Sequence, residues 1–243
     1  VIGADDDEYI QSVAETNDGG IIAGGYFKSS SINLENGVSL SNTGSSDGMI
    51  IKYSAEGECE WVKVIGGNKW EEITSVAETN DGGIIAGGYF NSVTIEIGNG
   101  VVLTNNDSTS SHSDGMIIKY NSEGECEWAK VIGGYEYDSI NSVASTRDGG
   151  IIAGGQFYSS TIELENGEVL TNSGTNKYDG MIIKYSAKGE IEWAKAIGGD
   201  SHDYIKSVTE TSDGGVIAGG EFYSNSIEIE NGVVLTHNGS ISY

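Results

Sequence analysis

The chain repeats itself. The text DGMIIKYNSEGECEWAKVIGG (Asp114–Gly134), followed shortly by SVASTRDGGIIAGGQF, recurs along the 243 residues in copies that begin at Val1, Val64, Val131 and Ala196, with spacings of 63, 67 and 65 residues. Self-similarity at a fixed period makes each copy one supersecondary unit, which buries its apolar faces against its neighbours rather than alone. Residues 1–243 are therefore read as a single repeat domain with units 1–63, 64–130 and 131–195 and a partial unit 196–243.

The second copy shows what one unit contains. Ile73–Thr79 is β-branched and apolar and ends at Asn80-Asp81-Gly82-Gly83, where Asp and Asn accept local backbone bonds and Gly supplies positive φ. Gly83–Phe90 reads as a second strand. Thr94–Glu96 and Val101–Thr104 around Gly98-Asn99-Gly100 read as a small inserted hairpin, whose turn is Glu35-Asn36-Gly37, Glu165-Asn166-Gly167 and Glu230-Asn231-Gly232 in the other copies. After the variable stretch Asn105–Ser113, Gly115–Tyr120 and Cys126–Ile132 form the third and fourth strands about a Ser122-Glu123-Gly124 turn. No segment keeps a helical period for the ten or so residues a helix needs. Four antiparallel strands with continuous apolar runs require cover on both faces, and radially stacked blades supply it. The expected class is all-β: a β-propeller of four-stranded antiparallel blades, about four repeats of roughly 65 residues with the last incomplete, and a hairpin inserted between second and third strands. A β-solenoid or a row of small sandwiches are the structural alternatives.

The order S-V-A-x-T-x-D-G-G-I-I-A-G-G, then D-G-M-I-I-K-Y-x-x-x-G-x-x-E-W-x-K-x-I-G-G, resembles the bacterial β-propeller repeats called SBBP. In strand order, Gly doublet and last-strand Trp it is also similar to kelch repeats. The resemblance covers the chain apart from the inserted hairpins. It implies a propeller and an extracellular or cell-surface location, and leaves function open, because such folds host many roles. The first residues, Val1-Ile2-Gly3, match the tail of a fourth strand, and the last copy ends after its hairpin. The expectation is a trimmed piece of a longer ring with an open edge; the alternative is that Gly239–Tyr243 is a weak stand-in for the missing third strand, with Val1-Ile2 closing against it.

Charge excludes some partners. With 37 Asp and Glu against 12 Lys and Arg, a formal net of −25, the chain repels nucleic-acid backbones and anionic membrane surfaces. No apolar run is long enough for direct membrane insertion. Cys59 and Cys126 hold the position that Ile191 fills in the third copy, so two free thiols are expected rather than a disulfide. His112, His202 and His237 share no register and form no metal-binding motif.

Up-and-down connectivity sorts the loops. The DGG turns (Asp18, Asp81, Asp148, Asp213) and Ser/Asn-x-x-Gly turns share one end of the blades, while the hairpins and the fourth-to-first loops share the other. The second end holds most of the variation between copies, so it is the candidate working face. Its aromatic and imidazole residues Tyr9, Trp70, Tyr135, Tyr137, His202 and Tyr204 suit a neutral glycan or a protein partner. Glu8, Glu71, Asp138 and Asp203 occupy one register, two residues before the Ile of each first strand. They are either a ring of oxygens able to take Ca²⁺ or caps that accept backbone N–H bonds. The leading expectation is an extracellular recognition or adhesion module without catalysis. The alternatives are a carbohydrate-active enzyme using two of those four acids, or a surface-layer or filament subunit that self-associates through its incomplete last blade.

Overall fold

Ile, Val and Thr are stiff at χ1 and fit a pleated surface better than a helix, and these are the residues that fill the repeated apolar runs. The computed structural model describes residues 2–35 and 37–237, and every regular element among them is a strand. The first unit contains β1 (Glu8–Glu15), β2 (Ile21–Phe27), a hairpin of β3 (Ser31–Asn33) and β4 (Ser39–Ser41), then β5 (Asp47–Tyr53) and β6 (Cys59–Ile65). The second contains β7 (Glu71–Glu78), β8 (Ile84–Phe90), the hairpin β9 (Thr94–Glu96) and β10 (Val102–Thr104), β11 (Asp114–Tyr120) and β12 (Cys126–Ile132). The third contains β13 (Asp138–Ser145), β14 (Ile151–Phe157), β15 (Thr161–Glu163), β16 (Val169–Thr171), β17 (Asp179–Tyr185) and β18 (Ile191–Ile197). The fourth contains β19 (Asp203–Glu210), β20 (Val216–Phe222), β21 (Ser226–Ile229) and β22 (Val233–Thr236).

Three sheets have the orders β1-β2-β5-β6, β7-β8-β11-β12 and β13-β14-β17-β18, all antiparallel, and the fourth is the pair β19-β20. The first strands of successive units lie against one another, and the outer strands diverge. The units are thus propeller blades fanned about an axis lined by β1, β7, β13 and β19. Apolar residues fill the seams: Ile22 and Ile50 of the first blade meet Ile73 and Val76 of the second, and Ile152 and Ile182 meet Ile205 and Val208.

A fan leaves gaps at its perimeter. In the three complete blades the inserted hairpin covers the third strand of its own blade, Ile95 and Leu103 lying buried with Met116 and Ile118. The later hairpins also reach the preceding blade: Glu96 N–H donates to the Gly66 carbonyl, Glu165 pairs with Lys130 and Glu230 with Lys195. Trp61 spans a similar gap, its indole N–H donating to the Ser122 carbonyl of the next blade at 3.0 Å. Cys59 and Cys126 are half-buried and are not joined in a disulfide. The hairpin turns differ in kind: Asn99 and Gly100 both have positive φ, whereas in the third hairpin Gly167 supplies it. The expectations placed on Val1, on Asn36 and on Gly239–Tyr243 lie outside the described residues.

The two sets of turns separate as expected. At one end Lys52, Lys119 and Lys184 of the third strands pair with Asp18, Asp81 and Asp148 of the DGG turns. At the other end the hairpin connections and the fourth-to-first loops are bonded together. Glu71 N–H donates to the Ser46 carbonyl, Asp138 N–H to Ser113 and Asp203 N–H to Tyr178.

Candidate functional site

The innermost strands carry a β-bulge at one register, between Ile10 and Ser12, Ile73 and Ser75, Ile140 and Ser142, and Ile205 and Ser207. A bulge adds one residue and re-aims its side chain. That residue is Gln11, Thr74, Asn141 or Lys206, different in each blade. Three of them bridge to the next blade: Gln11 Nε2 donates to Glu72 at 3.1 Å, Thr74 Oγ1 to the Ile140 carbonyl at 2.7 Å, and Asn141 Nδ2 to the Ile205 carbonyl at 2.8 Å. Nearer the hairpin end, the facing cross-strand pairs are Tyr9–Tyr26, Glu72–Tyr89, Ser139–Gln156 and Tyr204–Glu221. The same frame therefore presents four different chemistries around the mouth of the channel.

Between the second and third blades this variation opens a cleft of about 380 Å³ lined by Trp70, Tyr89, Tyr137 and Tyr178, with Asn91, Asn141 and Gln156 among its polar groups. Trp70 is 54% exposed and Lys28 lies 5.9 Å from its ring centroid. Tyr137 is held edge-on by His112 at 4.6 Å, and His112 is anchored by Asp107 at 3.0 Å. Tyr178 packs against Tyr158, His202 and Tyr204, with His202 and Tyr204 parallel to each other. Tyr89 donates its hydroxyl to Glu72 at 2.7 Å.

Of the six side chains expected on this face, Trp70 and Tyr137 share the cleft. His202 and Tyr204 border it through Tyr178. Tyr9 stacks on Tyr26 in the first blade at 5.0 Å. Tyr135, 80% exposed, faces a separate groove between the second and third hairpins instead. Tyr178, Tyr89, Asn141 and Gln156 escaped the sequence reading. Tyr178 lies in a variable stretch and Asn141 on a bulge that alternation along a strand does not reveal. For Tyr89 and Gln156 the signal existed: they occupy one position of GIIAGGxF that changes from copy to copy.

The four aligned acids do structural work in this geometry. Asp138 accepts from Gly134 N–H at 2.8 Å, Tyr158 N–H at 3.0 Å, Ser159 N–H at 3.2 Å and Ser159 Oγ at 2.7 Å. Asp203 repeats the pattern with Gly199, Tyr223 and Ser224. Glu71 accepts from Gly67 and Ser92 N–H, and Glu8 from Ala4 and Ser29. Each carboxylate ties a fourth-to-first loop to the connection after the second strand. Among the described residues no three His, Cys, Asp or Glu side chains converge as an ion site, and the four acids stay in separate blades. Glu71, Asp138 and Asp203 are buried, with their oxygens bonded to these donors.

A second row of acids opens the third strands: Asp47, Asp114 and Asp179 are fully buried, each with one oxygen bonded in its own loop and the other without a partner. Burial pushes the Asp114 carboxyl up to about 7 and that of Asp138, which has more donors, to about 6. Burial likewise raises Glu71 to about 7.

No family model matches the chain. It is 25% identical over 113 residues to the regulatory protein FlaEY of Caulobacter vibrioides, a match covering 46% of this chain and 12% of that protein's length. Among solved structures it is similar to a protein of unknown function from Bacteroides caccae (TM-score 0.44, 10% identity, 94% of this chain and 60% of that one). It is also similar to the WD40 β-propeller domain of Doa1 (TM-score 0.27, 13% identity, 90% and 92%). A third is the extracellular domain of a putative hybrid two-component system from B. thetaiotaomicron (TM-score 0.32, 12% identity, 96% and 33%). Among the described residues no helix is long and apolar enough to cross a membrane.

Proposed function

We propose that the hairpin-bearing face is an extracellular recognition surface and that the cleft between the second and third blades takes a neutral glycan. The observation that carries this reading is the convergence of Trp70, Tyr89, Tyr137 and Tyr178 on one cleft whose other lining groups include the amides of Asn91, Asn141 and Gln156. Aromatic faces lie flat on sugar C–H surfaces, and side-chain amides both donate to and accept from hydroxyls. The lining acid, Asp138, is buried and bonded to loop donors, so a neutral ligand meets little uncompensated charge.

The test is a neutral-glycan array read with and without Ca²⁺, followed by tryptophan-fluorescence titration of any binder. Trp70→Ala is expected to weaken binding about tenfold or more. The fold should survive, with a stability loss of about 1–2 kcal/mol, because about half of the ring is exposed. Capture of a protein ligand through the same residues, with no glycan bound, would reassign the cleft to a protein partner. Glycan binding unaffected by Trp70→Ala and Tyr137→Ala would remove it from the cleft altogether.

A further inference from the structure

The seam between the second and third blades opens twice. Its inner opening is the cleft at the channel mouth. Farther out, β12 and the hairpins of the second and third blades enclose a groove of about 780 Å³. Val102 and Val131 give it apolar lining, Tyr135 and Tyr158 give it rings, and Asn106 and Thr161 give it hydrogen-bonding groups.

The preceding seam shows how such a groove comes about. Between the first and second blades, Glu96 N–H donates to the Gly66 carbonyl and makes an antiparallel bridge there. At the next seam the equivalent carbonyl, that of Gly133, accepts instead from Asn106 Nδ2 of its own blade at 3.1 Å. Among the described residues no bridge joins Gly133 to Glu163, the counterpart of Glu96. The third hairpin is tied to the second blade through the Glu165–Lys130 pair, and space is left beside it.

Groove and cleft share a wall, and that wall is aromatic. Tyr135 and Glu136 line the groove, whereas the following residue, Tyr137, lines the cleft. Tyr158 of the groove packs edge-on against Tyr178 of the cleft, with ring centroids 4.9 Å apart. Rings therefore follow one another along the seam, from Trp70 and Tyr137 through Tyr178 and Tyr158 to Tyr135.

We infer that cleft and groove are two parts of one site, and that its ligand is a linear, uncharged oligosaccharide lying along the seam. The inference rests on the glycan reading of the cleft and adds chain length and charge to it. Successive sugars of a linear chain each offer a C–H face to a ring and hydroxyls to the polar groups beside it. Glu136 lies 3.3 Å from His112 Nε2 and Glu165 is paired with Lys130, while the exposed Glu163 carboxylate accepts from hydroxyls. A chain with a formal net charge of −25 repels uronate-bearing or sulfated polymers.

Titration calorimetry with neutral gluco-, manno-, xylo- and galacto-oligosaccharides, each from mono- to hexasaccharide, tests it on the 243-residue chain. Affinity should rise about tenfold or more between disaccharide and hexasaccharide in the series that binds. Tyr135→Ala removes a ring that is 80% exposed, and Val102→Trp fills the groove from a position that is 55% exposed, so the fold should tolerate both. In each variant the hexasaccharide should bind about tenfold more weakly, at the level of the disaccharide. Trp70→Ala should weaken every length. A disaccharide that binds as tightly as the hexasaccharide overturns the inference and leaves the cleft reading intact, as does a gain with length that persists in both groove variants. Failure of every series to bind overturns the two together. Preference for glucosamine oligomers that vanishes in about 0.5 M NaCl would make the ligand a cation and overturn the inference as well.

Discussion

The two ends of the blades solve the same problem with opposite electrostatics. At the DGG end the carboxylates are exposed and a lysine comes to them: Lys119, 2% exposed, reaches both Asp81 and Glu127. The pattern is constant over the three complete blades. At the hairpin end the carboxylates themselves are buried, and neutral N–H and hydroxyl donors come to them, as around Asp138. The first arrangement keeps the carboxylates in water and buries only the lysine. The second takes charge out of water and depends on every donor in the loops. The end that varies in sequence is therefore the one whose frame is held from inside, and its outer side chains are released to differ.

The largest break in this comparison should come from Asp138→Ala. It strands the N–H groups of Gly134, Tyr158 and Ser159 beside a buried seam, a loss of about 3 kcal/mol or more. Urea denaturation measures it. A loss under about 1 kcal/mol would mean that the two loops hold each other without the carboxylate.

Acid should act on the two ends with opposite sign. Partial burial works against Asp81, but the Thr79 hydroxyl, Gly83 N–H and Lys119 hold its carboxyl down at about 2. Its contribution is complete above about pH 4 and is lost as pH falls through about 2. Asp114 and Glu71, raised to about 7 by burial, favour the folded state in their neutral form. Their contribution is complete below about pH 4 and declines as pH rises towards 7. The melting temperature should therefore climb from pH 8 to about 5 and drop below about 3. Relief of self-repulsion among 37 acids acts in the same direction as the climb, but salt screens that term and spares buried groups. The rise should consequently persist in 0.5 M NaCl, and Asp114→Asn should flatten it while raising stability at pH 8. A flat profile in salt would place the buried acids' titration elsewhere.

The smaller effect belongs to the DGG end. Lys119→Met keeps the buried stem and removes the ammonium, leaving Asp81 and Glu127 in water, where they are solvated. A loss of about 1–2 kcal/mol is expected. If it matched the loss from Asp138→Ala, the two ends would be held by interactions of equal weight and the contrast would collapse.

Much of the frame was legible because it is written several times over. Strand order, the inserted hairpin, the turns and the division of loops between two ends all follow from comparing copies within one chain. The aligned acids were visible as a register, but the sequence left two readings of them, and only the positions of Gly134 and Ser159 show what Asp138 holds. The site was harder to read. A bulge shifts strand alternation by one, so Gln11, Thr74, Asn141 and Lys206 sit where a period of two places no particular face. Tyr178 reaches the cleft from a loop of irregular length, and no pattern along the chain marks its neighbours there.

The bulge on each innermost strand has a consequence for how such a protein can change. Backbone bonding to the second strand fixes the place of Gln11, Thr74, Asn141 and Lys206, whatever side chain stands there. Their chemistry can differ from blade to blade while the aperture keeps its dimensions, each exchange at Gln11, Thr74 or Asn141 costing no more than the single bond it makes to the next blade.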